Sequence, residues 1–162
     1  MHPCARCALL QRTCCQRAEV VITAGDAARI ARHTGRSDFW EYRLPESPDY
    51  VFADPDDPNW VPWTVRPDGT RRVLRRRPAG DCTFLGQAGC TLPGDVRPLI
   101  CRLYPYKYTE AGVGEVDDHY CPTAQVVPPG MDMARMLGMT VEHAESERRQ
   151  LYRELREEWE SP

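Results

Sequence analysis

Long apolar runs are missing from this sequence, and lysine is nearly missing too. No stretch approaches the ~18 apolar residues a membrane-spanning helix needs, so a helical membrane protein is excluded. The opening text, Met1-His2-Pro3-Cys4-Ala5-Arg6, lacks the apolar core of a signal peptide, and the expectation is a cytoplasmic chain. Strong charge of either sign is also lacking. A net charge of -3 and a pI near 5.8 provide no global attraction to nucleic acid or to acidic membranes. No G-x-G-x-x-G or Walker loop occurs, which leaves nucleotide binding without support. No Ser-His-Asp or Cys-His arrangement of any specificity is present either. Mean hydropathy of -0.58 and 41% hydrophobic residues argue against wholesale disorder. A chain of this length buries roughly 68–70% of its unfolded surface, enough for one real core.

What is abundant is proline, 15 residues, and cysteine, 8 residues. In a reducing compartment clustered thiols bind metal or do redox work more often than they form structural disulfides. The cysteines fall into two groups, Cys4, Cys7, Cys14 and Cys15, then Cys82, Cys90, Cys101 and Cys121, separated by the cysteine-free residues 16–81. Tetrahedral zinc and the common iron–sulfur clusters each take four thiolates. The count alone does not turn the sequence groups into ligand sets. Thiolate favours zinc or iron–sulfur over magnesium or calcium; the competing reading is cysteine as a small buried hydrophobe. Cys14 and Cys15 are adjacent and point apart, so one ligates while the other serves a second site or stays a reactive thiol.

The pattern of elements predicts an α+β fold: a small single domain with short hairpins, cysteine-bearing loops and a C-terminal amphipathic helix. Glu19–Ile22 reads as extended. Thr23 caps a helix over about 24–33 that Gly35 ends. Ser37–Tyr42 reads as a further short helix, and the Pro/Asp-rich stretch 45–59 as loop. A hairpin is expected from Trp60–Val65 and Thr70–Arg76, turned at Pro67-Asp68-Gly69. Short extended pieces at Cys82–Leu85 and Cys90–Leu92 follow, then a helical turn over Val96–Leu103 capped by Asp95. Tyr106–Thr109 and Val113–Val116 form a second hairpin. Helical spacing of Val141, Ala144, Leu151, Tyr152, Leu155 and Trp159 marks a long helix over 140–159. The organisation is a cysteine-cluster domain over 1–127 with a helical extension of the same domain over 128–162.

The most specific text is Cys82-Thr83-Phe84-Leu85-Gly86-Gln87-Ala88-Gly89-Cys90 followed by Arg97-Pro98-Leu99-Ile100-Cys101-Arg102-Leu103-Tyr104-Pro105. With the N-terminal cysteine array and Cys121-Pro122, it resembles the YkgJ-like cysteine-cluster family over about residues 4–122. That family carries an N-terminal CxxCxxCC motif and is described as a zinc- or iron-chelating domain. The resemblance implies metal binding through Cys4, Cys7, Cys14, Cys15, Cys82, Cys90, Cys101 and Cys121. The chain departs from the motif in having six residues, not two, between Cys7 and Cys14. A related cysteine-rich region in flagellin lysine methylases keeps an iron–sulfur-dependent enzyme open as an alternative. A thiol-redox or metal-responsive regulator is the third class.

Among the histidines, His2 stands beside Cys4 and His119 two residues before Cys121, so these are alternative or supporting ligands, whereas His33 and His143 read as helix-end and surface residues. Arg97 and Cys101, four apart on an expected helical turn, share a face, which places a cation beside the sulfurs; Arg102 is directed instead to loop carbonyls or Asp81. Six arginines crowd residues 66–77, with Trp60 and Trp63 nearby as stacking platforms for RNA. Arginine makes up 20 of the 21 basic residues of the whole chain, however, which weakens a nucleic-acid reading. The acidic loop at Asp54–Asp57 is a candidate partner for those arginines. The residues name no protein partner.

Overall fold

The computed structural model describes residues 3–161, so the expectation on His2 lies outside the described residues. The architecture is α+β: short helices and three two-stranded antiparallel sheets, closed by one long C-terminal helix. Among the described residues no helix is long and apolar enough to cross a membrane.

Helix α1 spans Pro3–Leu10 and α2 spans Cys14–Arg17. Extended residues then lead into α3, Ala24–Thr34. Thr23 caps α3 through a bond from the Asp26 amide, and Gly35 ends it in the left-handed conformation at φ 67°, as the sequence predicts. Strand β1, Trp40–Arg43, stands where a short helix is expected. It pairs with β2, Arg71–Leu74, in the register Trp40↔Leu74 to Arg43↔Arg71. Val20–Ile22 lines the other edge of β2: Leu74 donates to the Val20 carbonyl, and Ile22 to that of Arg72. The pairing explains the change of type at 40–43, because alternate side chains of β1 meet a partner strand that local propensity does not reveal.

The expected hairpin over 60–76 is half wrong. Its turn is present, with Gly69 at φ 82° and the Arg66 amide bonded to the Thr70 carbonyl. Its first arm is helix α4, Trp60–Thr64. Pro62 sits in the first turn, where its missing N–H costs nothing. The i,i+3 pair Trp60 and Trp63 faces the C-terminal helix, stacking on Tyr152 and Trp159.

Strands β3, Leu85–Gly86, and β4, Gly89–Cys90, form a minimal hairpin. Helix α5 runs only over Leu99–Leu103 with Pro98 at its N-cap, so Asp95 does not cap it. Strands β5, Tyr106–Thr109, and β6, Gly112–Val116, pair as expected. Short helices α6, Thr123–Val126, and α7, Met133–Met136, lead to α8, Val141–Glu160, capped by Thr140.

Helix α8 buries Ala144, Glu147, Arg148, Leu151, Tyr152 and Leu155, a stripe at helical spacing. Val141, expected to dock, is half exposed. The stripe packs on α5, α4, α3 and the β5–β6 hairpin. Near the helix end Glu158 reaches Arg72 at 2.6 Å and accepts from the Ala24 amide, so the last turn is anchored although its acidic residues oppose the dipole. Apolar side chains gather in three clusters. Phe39, Ile30 and Phe84 centre the first, between α3 and the β1–β2 sheet. Leu99, Leu103 and Leu151 join α5 to α8 in the second, and Cys7, Val126 and Met133 form the third.

Candidate metal centre

All eight cysteines, from Cys4 to Cys121, line one cavity of about 480 Å³. Side chains from each of the three apolar clusters contribute to its wall, so it lies at their junction. Cys7, Cys14, Cys15, Cys82, Cys90, Cys101 and Cys121 are free thiols.

Each element delivers its sulfurs for a local reason. Cys4 and Cys7 stand three apart on α1 and therefore share a face; Cys7 is buried, whereas Leu9 on the far side is exposed. Ala5 of α1 lies beside Gly89, whose φ of 101° is the left-handed conformation that favours glycine. Cys14 and Cys15 form the first turn of α2, tied at Thr13 by a bond from its amide to the Gln16 carboxamide. Cys82 donates its amide to the Cys15 carbonyl at 2.7 Å. Cys90 ends the β3–β4 hairpin, and Cys101 is central in α5. Cys121 lies in a loop that Tyr104 organises: the Tyr104 hydroxyl is 3.4 Å from the Cys121 sulfur and accepts from the Tyr120 amide. Gln11 closes the same loop onto α1 by donating to the Tyr120 carbonyl at 3.0 Å.

The amino end of α5 is fixed by Asp26, fully buried, whose carboxylate accepts the Leu99 and Thr23 amides and pairs with Arg29 at 2.7 Å. Burial raises the Asp26 pKa in spite of those bonds.

Electrostatically the cavity is hostile to bare thiolates. Burial pushes Cys4 and Cys82 up to about 11 and raises Cys101 well above the ordinary thiol value. Within the Cys14–Cys15 pair, the hydrogen bond between the thiols lowers Cys15 to about 7 and raises Cys14. Burial raises Cys90 as well; the Arg97 charge acts against the rise at Cys4 and Cys90 and helps to lower Cys15. Arg97 does so from the segment before α5, with its Nε on the Leu92 carbonyl, not from a helical face shared with Cys101. Arg102 also lines the cavity, but its partner is Glu147 at 3.2 Å and not Asp81. Its Nε and Nη2 are buried with no hydrogen-bond partner among the described residues.

The donor set suits a thiophilic cation: many sulfurs facing one space, one guanidinium on them and a second with unspent donors. Among the described residues no group of three or more His, Cys, Asp or Glu is placed to hold a metal ion.

Other expectations fall outside the cavity. His119 is exposed, bound to Asp117 at 2.8 Å and stacked on Tyr120. The arginine run is spent on pairs: Arg71 with Glu19 in a buried bridge of 3.2 Å, Arg72 with Glu158, Arg75 with Glu41, and Arg76 with Glu46. Asp57 does not meet them; it accepts from the Tyr152 hydroxyl and the Glu110 amide. Two features escaped the sequence reading. Tyr104, Tyr106, Tyr108 and Tyr120 wall the cavity, and His143, bonded to Glu147 at 3.3 Å, touches its rim. The tyrosine-dense text at 104–108 was the available signal.

No family model, curated protein or solved structure matches this chain.

Proposed function

We propose that this protein binds zinc or iron, an iron–sulfur cluster included, through cysteine thiolates. The observation that supports this reading is the meeting of all eight cysteines, spread from residue 4 to residue 121, at one cavity. Cysteines used only as small hydrophobes belong in a close-packed core, where voids larger than a water molecule are few. Here they border open space of about 480 Å³. Arg97 has no role in apolar packing, yet it serves three of the sulfurs. The resemblance to the YkgJ-like cysteine-cluster family points the same way.

Cys4, Cys7, Cys14, Cys15, Cys82, Cys90, Cys101 and Cys121 would hold the metal, which when bound supplies the positive charge that keeps buried thiolates ionised. Cys15 and Cys90 carry part of that charge on Arg97, and Tyr104 orients Cys121. A metal held by these residues would link α1, α2, the β3–β4 hairpin and α5. Metal-binding thiolates fit a reducing compartment such as the cytoplasm.

Metal analysis and an absorption spectrum of anaerobically purified protein test the reading. Stoichiometric zinc in a colourless protein, or iron with sulfide in a brown one, is the expected result. A protein that arrives metal-free, takes up neither zinc nor iron, and melts at the same temperature with or without them overturns it.

A further inference from the structure

We propose that the cleft beside the last turn of α8 is a binding site for a small planar aromatic molecule that carries one carboxylate. The cleft shares no lining residue with the cysteine cavity, so this inference is independent of the metal-binding reading.

The cleft has a volume of about 740 Å³ and opens between α4 with the turn that follows it, the β1–β2 sheet and the end of α8. That size is in the range of small-molecule sites, about 300–1,000 Å³. Its floor is apolar, with Ile22 and Leu155 each 2% exposed. Three aromatic rings stand in its wall: Tyr42 from β1, Trp63 from α4 and Trp159 from α8. The two indole centres are 6.4 Å apart with their planes at 43°, so the rings do not close on each other in a stack. Trp159 is 58% exposed and Tyr42 41%. Aromatic surface is thus left accessible in a concave place, which is how binding grooves differ from a core. Trp60, by contrast, is spent on Tyr108 and Tyr152.

Charge selects the ligand. Arg72 and Glu158 line the cleft but neutralise each other at 2.6 Å. Arg72 also donates to the Tyr42 hydroxyl at 2.9 Å, and Glu158 accepts the Ala24 amide. Arg66 is the other cation of the wall. Its guanidinium carbon lies 3.9 Å from the centre of the Tyr42 ring, and its ion-pair partner Asp68 is also 3.9 Å away, beyond hydrogen-bond reach. Both members of that pair are about half exposed, so water screens it. Arg66 therefore keeps N–H donors for a carboxylate, which the planar fork of a guanidinium holds through two parallel bonds. A ring lodged against Trp63 and Trp159 completes the contact. A polynucleotide is disfavoured although arginine and tryptophan share the wall, because Glu157 and Glu160, both exposed, flank the Trp159 turn and repel a chain of phosphates. One uncompensated cation matches one negative charge.

The probes are 2-naphthoate and its uncharged amide, titrated into the full chain by calorimetry. Wild type should bind one equivalent of 2-naphthoate and hold the amide about tenfold more weakly, the difference expected for one charge-assisted contact. Arg66→Gln should bring 2-naphthoate down to the level of the amide and leave the amide unchanged. Trp159→Ala should weaken both probes by a similar factor, and Arg75→Gln, a substitution outside the cleft, should match wild type. No binding of 2-naphthoate overturns the proposal. So do equal affinities for the two probes in wild type, or a preference for the anion that survives Arg66→Gln. Binding that ignores Trp159→Ala puts the naphthalene elsewhere, the cysteine cavity included, and overturns it as well. Should Trp159→Ala fail to fold, the indole N–H resonances of wild type answer the same question. Those of Trp63 and Trp159 should shift when 2-naphthoate is added, while that of Trp60 stays, and the opposite pattern counts against the cleft. None of these outcomes bears on whether the cysteines bind metal.

Discussion

The Arg97 guanidinium lines the cysteine cavity, and its charge reaches Cys90, Cys15 and Cys4. Several thiolates around divalent ions leave excess negative charge, and a partly buried guanidinium offsets it by direct hydrogen bonding at low dielectric. Arg75 makes a suitable control, because it is about half exposed and lies outside the cavity wall, with Glu41 at 3.8 Å and the Trp40 carbonyl as partners. Arg97→Gln should therefore speed loss of metal to a chelator several-fold, corresponding to about 1 kcal/mol for a charge-assisted bond, while Arg75→Gln behaves as wild type. Equal chelation rates for the three proteins would leave Arg97 without a part in metal retention. That Arg97 lies at the cysteine cavity was legible in the Arg-Pro-x-x-Cys-Arg text. Its geometry was not, because Pro98 delays the helix and turns a supposed shared face into an approach from the preceding loop.

Helices α3 and α8 meet through a polar cluster, which is the better test of how elements hold one another. Glu154 of α8 accepts from Arg29 at 2.6 Å, from Gln150 at 2.9 Å and from the Thr23 hydroxyl. A Cβ on Gly25 would stand 2.3 Å from its carboxylate, so the first turn of α3 leaves room for this contact. Burial acts to raise the Glu154 pKa, and the bonds from Arg29, Thr23 and Gln150 outweigh it and lower the pKa below 4.5. The sign follows from linkage: with the folded pKa depressed, the unfolded chain binds more protons, and the contribution exists above pH ~4.5 and fades as pH falls through the folded value. Glu154→Gln should cost about 1–2 kcal/mol at pH 7 and progressively less in acid. Asp26, raised by burial, titrates in the opposite sense, so the quantity to measure is the difference between wild type and variant in urea unfolding across pH 3–7. A difference that does not change with pH would mean that the Glu154 charge contributes nothing. At this scale the ends of α3 were readable, since Thr23 and Gly35 act within one turn of their own helix, whereas the cap position expected of Asp95 is taken by Pro98. The 60–64 segment was not, because its choice between strand and helix is made by Tyr152 and Trp159, about 90 residues away.

The whole molecule is a set of short elements too small to be stable singly, which makes α8 and the cysteine cavity two separate means of joining them. Helix α8 contacts α3, α4, α5, β5 and β6; the cysteines join α1, α2, the β3–β4 hairpin and α5. Helix α5 belongs to both sets. Its Leu99 and Leu103 pack on Leu151 and Leu155, while its Cys101 faces the sulfurs. Leu151 is 1% exposed, and Leu151→Ala should cost about 3 kcal/mol, within the range for a cavity left in a core; Leu9→Ala, at 74% exposure on the outer face of α1, should cost almost nothing. The coupling can be read by repeating the unfolding with metal bound. A ligand that binds only the folded state adds stability according to its affinity. If α8 acts solely as packing, zinc raises the melting temperature of Leu151→Ala as much as that of wild type. If, as the double role of α5 implies, α8 also seats Cys101, the increment in Leu151→Ala is smaller and its zinc is released faster to a chelator. An unchanged increment together with an unchanged release rate would show that the helix and the cysteine centre stabilise this fold independently.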